Sequence, residues 1–434
     1  MPESTIPDRR TGPSWGPSGS GRSDAIELGG TVRTIDAEAT FANARKLFGQ
    51  VGITRIGNVT GLDHVGIPTW VAVRPLSRSL SVSQGKGMSH ALARASAAME
   101  SIELHHAECF VPRGRDVALR EAASDPDFAS PLMLPIHAEA VVTNETRCAW
   151  IPGRAIRSGR TAWIPREVLD LDSTSRRAHS RIFVTSSNGL ASGNTRDEAL
   201  LHAVCEVVER DQVALWSARQ FVEPDVPNAR VDLHDIADPH CRDLLERCAA
   251  AGLRIAVWHV SQDIPVPCFA CKVFDSKGRT CFARRASGFG CHPYRHVALA
   301  RAMTEALQSR LTFIAGGRDD LTWRDYRDAI PTDRGQGLQW ATGVEEEAET
   351  VLLRSIAEAP RLDTIGALLD WTLDALDEVH LPDAIAVDLT QEQLGIPVVH
   401  VTVPGLEGHV GGRGYSPGPR MQQVLSRHAM TTSA

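Results

Sequence analysis

Membrane spans are the first thing missing: no run of about 18 or more apolar residues occurs in the 434-residue chain, so no transmembrane helix is predicted. The N-terminus, rich in Pro, Gly and Ser, has no apolar h-region and reads as no secretory signal, which predicts a cytoplasmic protein. An excess of basic charge is missing too. With 46 Lys+Arg against 53 Asp+Glu and a net charge of −7, general affinity for nucleic acid is not expected, because phosphates need a basic face to neutralise them; a nucleotide held through a metal stays open. There is no disulfide framework, since nine cysteines, an odd number, lie scattered and read as reduced thiols. Cys268 and Cys271 form a lone CxxC without the second pair or spaced histidines that a zinc site needs, so buried strand thiols are expected. Gly85-Lys86-Gly87 is no Walker P-loop, because the glycine spacing and a Ser/Thr directly after the lysine are absent.

What is present is an average soluble composition, 42% hydrophobic and 23% charged, on a chain long enough for two or more subdomains. Residues 1–27 are expected to be disordered. Beyond them, Thr34 or Asp36 can cap a helix, and residues 57–87 read as two strands around turns. Residues 113–184 alternate short strands, EAVVTNE among them, with Pro/Gly turns and predict an antiparallel segment. Helix, strand and strand through residues 229–290 predict an α/β class, mixed with α+β. Residues 321–380 read as acidic, exposed helices, and a Gly/Pro-rich tail closes the chain.

The chemistry gathers on three helices that each follow a glycine-rich stretch. In residues 185–211, Glu198, Glu206 and Glu209 recur at near-helical intervals with Arg210 beside the last, and Asn188 shapes the preceding turn. Glu206 and Glu209, three residues apart, can aim their oxygens at one point, where two like charges need a cation such as Mg²⁺ between them. Alone, such a pair is an ordinary solvated face. The pattern recurs, however: Ser96, Glu100 and Glu103 form one stripe on an alanine-rich helix, and Arg301, Glu305 and Gln308 line a third. Arg301 and Glu305, at i and i+4, can also pair with each other as a surface ion pair. His105 and His106 are given no partner.

These motifs resemble those of the YcaO proteins, ATP- and Mg²⁺-dependent enzymes that activate peptide backbone amides. SAAMESIE is similar to the family's SxxxExxE, GNTRDEALLHAVCEVVER to its NxxxExxxxxxxExxER and RAMTE to its RxxxE; RTIDAEAT resembles its first nucleotide-contacting segment more loosely. The resemblance implies that Glu100, Glu103, Glu206 and Glu209 hold Mg²⁺, that Arg33, Thr40, Ser96 and Asn194 contact ATP, and that Glu198, Arg210, Arg301 and Glu305 serve both nucleotide and catalysis. It further implies a catalytic domain over residues 28–420 with a tail at 421–434, three strand/turn/helix subdomains converging on one ATP site, and a homodimer.

Azoline-forming members attack with a side chain of the substrate peptide, and many end in a PxPxP tail. Here the end has a single PGP at residues 417–419 and then runs on, and no substrate-recruiting domain is fused in front. The Tyr415-x-Pro417-Gly418 tail is more similar to members that work beside a TfuA protein and install a thioamide. Thioamide formation in a ribosomally made peptide or protein, with a TfuA-like partner, is therefore the expected function. Azoline cyclodehydration, a catalytically silent scaffold and a simple ATP-dependent ligase are the alternatives.

Overall fold

The computed structural model of the chain describes residues 23–109, 111–174, 182–223, 230–275, 285–328, 350–408 and 414–431. Strands β1 (Ile26–Glu27) and β2 (Val32–Arg33) pair as a hairpin and lead into helices α1 (Ala37–Arg45) and α2 (Phe48–Val51). Strands β3 (Arg55–Asn58), β4 (Thr69–Val73) and β5 (Val82–Lys86) come next, followed by α3 (His90–Cys109). Then come β6 (Arg115–Ala118), α4 (Leu119–Ser124), β7 (Arg147–Ala155), β8 (Thr161–Pro165) and β9 (Leu190–Ser192), which leads into α5 (Arg196–Val222). Strand β10 (Arg230–Val231), α6 (Pro239–Ala250), β11 (Leu253–His259), β12 (Cys268–Asp275) and β13 (Arg285–Cys291) lead into α7 (Arg295–Ala315) and α8 (Trp323–Asp328). Strand β14 (Thr350–Val351), α9 (Ile365–Glu378), β15 (Ile385–Asp388), β16 (Val398–Thr402) and α10 (Pro419–Thr431) complete the described chain.

Three sheets organise these elements, in the orders β3-β4-β5, β6-β7-β15-β16-β9 with β8 on β7, and β13-β12-β11-β10-β14. Each long helix directly follows an edge strand: α3 after β5, α5 after β9, α7 after β13. This is the expected trio of strand/turn/helix units. The class is the expected mixture of helix and sheet, and the described pairings of the named strands in these sheets are antiparallel except β10 with β14.

Glycines fix how closely helix and strand meet, and their role differs from the turn chemistry the sequence suggested. Gly85 lies within β5 and Gly288 and Gly290 within β13; a Cβ at Gly85 would fall on the backbone of Ala93 and Ala97, and one at Gly288 on that of Ala302 and Ala306. The helices lie directly on the strands, and the alanines at the contact complete the fit. We expect Gly288→Ala to destabilise the chain by about 3 kcal/mol through overpacking. Gly49→Ala, where a Cβ would meet nothing within 4 Å, should stay within about 0.5 kcal/mol of the parent or gain slightly. Chemical denaturation compares the two, and equal midpoints would refute the close-packing role.

Other expectations shift for local reasons. Residues 57–87 hold parts of three strands, not two. EAVVTNE is no strand: the Thr143 backbone N–H donates to Thr146 Oγ1 and the Thr146 N–H to the Thr143 carbonyl, a local turn that outcompetes the Val pair. Residues 344–349 and 409–413 lie outside the described residues, but 350–355 form a strand and a 3-10 turn rather than a helix. Helix α9 forms as expected yet is not an exposed one, since Ile365, Leu368, Leu369, Leu373 and Leu376 face the core beside α5. Asp24 to Glu27, within the segment expected to be disordered, make backbone pairs with Thr364 and β2. Helix α10 crosses the boundary expected at residue 420, and Met421 is buried. Cys268 and Cys271 are buried on β12 and contribute to different core clusters, as residues three apart on a strand point to opposite faces.

Candidate functional site

Helices α3, α5 and α7 converge on one cavity of about 540 Å³, in the range of small-molecule sites. Its wall contains Ser96, Glu100 and Glu103 from α3, Glu198, Glu206, Glu209 and Arg210 from α5, and Arg301 and Glu305 from α7. Asn194, just before α5, and Arg33 and Thr40 from the N-terminal hairpin and α1 join them. The structure thus brings all twelve site residues named from the sequence to a single cavity.

Local geometry explains how each is aimed. Thr195 caps α5 by accepting from the Glu198 backbone N–H at 3.2 Å, and Asp36, not Thr34, caps α1. Thr34 instead gives its N–H (3.0 Å) and hydroxyl (2.8 Å) to Glu198 Oε2, while Asn194 Nδ2 donates to Glu198 Oε1 at 3.0 Å and Arg33 Nε stands 3.7 Å from it. Glu198 is therefore a hub that locks the N-terminal hairpin onto α5. Thr40 donates its hydroxyl to the Asp36 carbonyl. Among the described residues the Asn188 side-chain oxygen has no hydrogen-bond partner; the Asn188 N–H donates to Ser186 Oγ at 3.2 Å.

Arg301 and Glu305 do not pair with each other as their spacing suggested. Glu305 accepts from Lys86 Nζ at 3.1 Å and from the Phe289 N–H at 3.2 Å, and Arg301 Nη2 reaches His202 Nδ1 at 3.2 Å. A guanidinium can only donate, so His202 carries its proton on Nε2. Burial, with Arg301 and Arg33 nearby, holds its pKa well below the usual histidine range, and it is neutral. Lys86 and His202 both line the cavity and were missed from the sequence. His202 lies four residues after Glu198 and four before Glu206, on the same stripe, which was the available signal.

The carboxylates are under electrostatic stress. Burial, reinforced by Glu206 and Glu100, pushes Glu103 well above the ordinary carboxylate range despite two hydrogen bonds from Ser192, at 2.7 and 3.0 Å. Burial also raises Glu100 and Glu206, and burial with Glu305 brings Glu209 to about 7. For Glu305, Lys86 and Arg210 overcome burial and lower the pKa. Six glutamates share the wall with Arg33, Lys86, Arg210, Arg301 and Arg318, a surface that calls for both cations and anions. Burial and neighbouring carboxylates raise Glu100, Glu103, Glu206 and Glu209, a strain that a bound cation would relieve. Among the described residues no three His, Cys, Asp or Glu are grouped to hold a metal ion by themselves; Mg²⁺ is commonly bound by one or two carboxylates together with phosphates and water.

These shifts set a pH dependence. Between an ordinary 4.5 and about 7, native Glu209 keeps a proton that the unfolded chain has released, so stability of the metal-free chain falls as pH rises through that window. Thermal melts in EDTA should show the fall, and Glu209→Gln should flatten it. A wild-type melting temperature that rises from pH 5 to 7 by about as much in the variant would contradict this.

Residues 84–407 match the family model described as YcaO cyclodehydratase, ATP- and Mg²⁺-binding. The chain belongs to the YcaO family. An uncharacterized protein in the tfuA 3′ region of Rhizobium leguminosarum bv. trifolii is 33% identical over 401 residues, covering 88% of this chain and 90% of its own. A heterocyclase solved in complex with substrate and cofactor superposes with a TM-score of 0.72 at 20% identity; the match covers 90% of this chain but 56% of that one, so this chain spans little more than half of the heterocyclase. YcaO from Methanopyrus kandleri, bound with AMPPCP and Mg²⁺, superposes with a TM-score of 0.66 at 21% identity, over 90% of this chain and 98% of that one. At these identities the solved structures show a shared YcaO fold. No helix among the described residues is long and apolar enough to cross a membrane.

Proposed function

We propose that this YcaO protein uses ATP and Mg²⁺ to phosphorylate a peptide backbone amide oxygen and replaces that oxygen with sulfur, giving a thioamide. The observation that carries the reading is the single cavity in which α3, α5 and α7 place six glutamates opposite five cationic side chains. In that cavity Glu100, Glu103, Glu206 and Glu209 would hold Mg²⁺, whose contribution is to neutralise the phosphate charge. Arg33, Arg210 and Arg301 supply positive charge to the nucleotide, with Arg301 oriented by neutral His202. Ser96 and Asn194 offer it hydrogen bonds, and Lys86 stands beside Glu305. Phosphoryl transfer asks chiefly for such positioning and charge neutralisation, so no covalent protein residue is required.

The balance of the reaction is simple. A sulfide sulfur forms a bond to the amide carbon while the carbonyl π electrons move onto oxygen; that oxygen takes the γ-phosphoryl group and releases ADP. The C–O bond then breaks, phosphate leaves, and loss of the proton on sulfur gives C=S. Two observations favour sulfide as the nucleophile. The Rhizobium relative lies in a tfuA region, which supports a TfuA-like partner. In the C-terminal segment, residues 414–426 are fastened to α5 through the Arg420–Asp211 contact, and none of these described residues lines the cavity.

The test is mass spectrometry of a candidate peptide after incubation with the chain, a TfuA-like partner, ATP, Mg²⁺ and sulfide. A gain of about 16 Da with ADP formation is expected; a loss of about 18 Da marks azoline cyclodehydration, and no ATP use at all marks a silent scaffold.

A further inference from the structure

Residues 414–421 lie beyond the family match, which ends at residue 407, yet they reach the helix that carries the site. Asp211, fully buried, follows Arg210 directly on α5. Its Oδ1 accepts from the Glu407 N–H (2.9 Å) and Arg420 Nε (2.9 Å), and its Oδ2 from Arg420 Nη2 (2.8 Å) and Gln212 Nε2 (2.8 Å). The same guanidinium grips Asp263 through Nη1 (3.0 Å) and Nη2 (2.8 Å).

Around it, the neighbouring residues are shaped to hold this fork in place. Buried Glu407 accepts from the Tyr415 hydroxyl, the Gly418 N–H (3.0 Å) and the Met421 N–H (2.8 Å). A Cβ at position 418 would stand 2.8 Å from Glu407 Oε1, so a side chain there would require that carboxylate to shift. Tyr415, Gly418, Arg420 and Met421 thus dock on two buried carboxylates, Glu407 and Asp211.

We propose that Arg420 is a positioning residue for the Mg²⁺–nucleotide site, acting through Asp211 on the turn of α5 that presents Glu209 and Arg210. The inference rests on reading the cavity as that site. The physics is that of a clamp. A bidentate guanidinium–carboxylate pair fixes orientation as well as distance. Glu209 and Arg210 are joined to Asp211 by consecutive peptide bonds in a helix, so a rotation that releases Asp211 turns them with it. Removing Arg420 takes away two of the four donors to Asp211 and leaves its buried charge under-satisfied, which the helix relieves by moving. Supporting residues around metal ligands typically contribute about 10–100-fold in affinity, the size of effect expected here.

The test uses the full chain and binding rather than turnover. Calorimetric titration with Mg²⁺ and β,γ-methylene ATP, well below the melting temperature, should show Arg420→Met binding about 10–100-fold more weakly than wild type. Arg420→Lys, which keeps charge but loses the fork, should recover only part. Tyr415→Phe, which removes one hydrogen bond to Glu407 and leaves the Arg420–Asp211 pair, should lower the melting temperature with affinity within about twofold. Folded Arg420→Met or Arg420→Lys with wild-type affinity overturns the proposal and leaves Arg420 a fastener of the tail. Should Arg420→Met fail to fold, the lysine variant decides alone. Wild-type protein that binds no Mg²⁺–nucleotide overturns the nucleotide reading of the cavity, and this inference with it.

Discussion

Glu103→Gln is expected to lower ATP consumption on the order of 10²–10³-fold while raising the melting temperature of the metal-free chain. The two effects share one cause. Glu103 is buried against Glu206 and Glu100, and its raised pKa records how poorly a negative charge is tolerated there without a cation. Glutamine keeps the shape and can still accept from Ser192, which holds Oε2, so the fold loses little. Removing the charge relieves repulsion in the metal-free chain and removes a ligand when Mg²⁺ and nucleotide are present. A coupled ATPase assay and calorimetric melts in EDTA measure the pair. Turnover within tenfold of wild type would remove Glu103 from the metal site, and a lowered melting temperature would show that its charge is compensated by something else.

Arg310→Met carries the largest expected cost to stability, about 3–5 kcal/mol. Arg310, 1% exposed, places Nε 2.9 Å from Asp63 Oδ2 and Nη2 3.6 Å from Asp275 Oδ2. It ties the turn after β3 and the end of β12 to α7, so the ion cluster joins two of the three strand/helix units. Losing the guanidinium takes a buried cation away from two buried carboxylates, Asp63, which also has His64 Nδ1 at 3.1 Å, and Asp275, and the penalty is mainly theirs. Replacing all three by Met and Asn at once should therefore recover much of the loss. Urea denaturation checks this, and a single-variant change below about 1 kcal/mol would mean that water reaches the aspartates.

Much of the site was legible because a helix writes its faces into the sequence at fixed intervals. Ser96, Glu100 and Glu103 are separated by four and three residues, and Glu198, His202, Glu206 and Glu209 by four, four and three, so each set shares one stripe whatever the tertiary fold. His202 is the uncharged member of the second set and shares its stripe by spacing alone. Arg301 and Glu305 show the opposite case. Their i, i+4 spacing permits a pair, but Lys86 from β5 and His202 from α5 stand closer in the folded chain, and sequence spacing carries no record of either. A Gly-rich stretch before a helix reads as a turn, whereas Gly85 and Gly288 sit inside strands, where a helix backbone lies against them.

The sequence alone determined the three polar helices, the carboxylates they carry and the family motifs, since local periodicity and spacing encode those directly. Tertiary structure decided which groups meet. Antiparallel sheets set α3, α5 and α7 around one cavity, Glu198 locked the hairpin to it, and Arg420 was drawn from the far end of the chain onto Asp211. Those contacts join residues as many as 209 positions apart. Their partners are chosen by burial, where an unpaired charge is costly, and not by any interval along the chain.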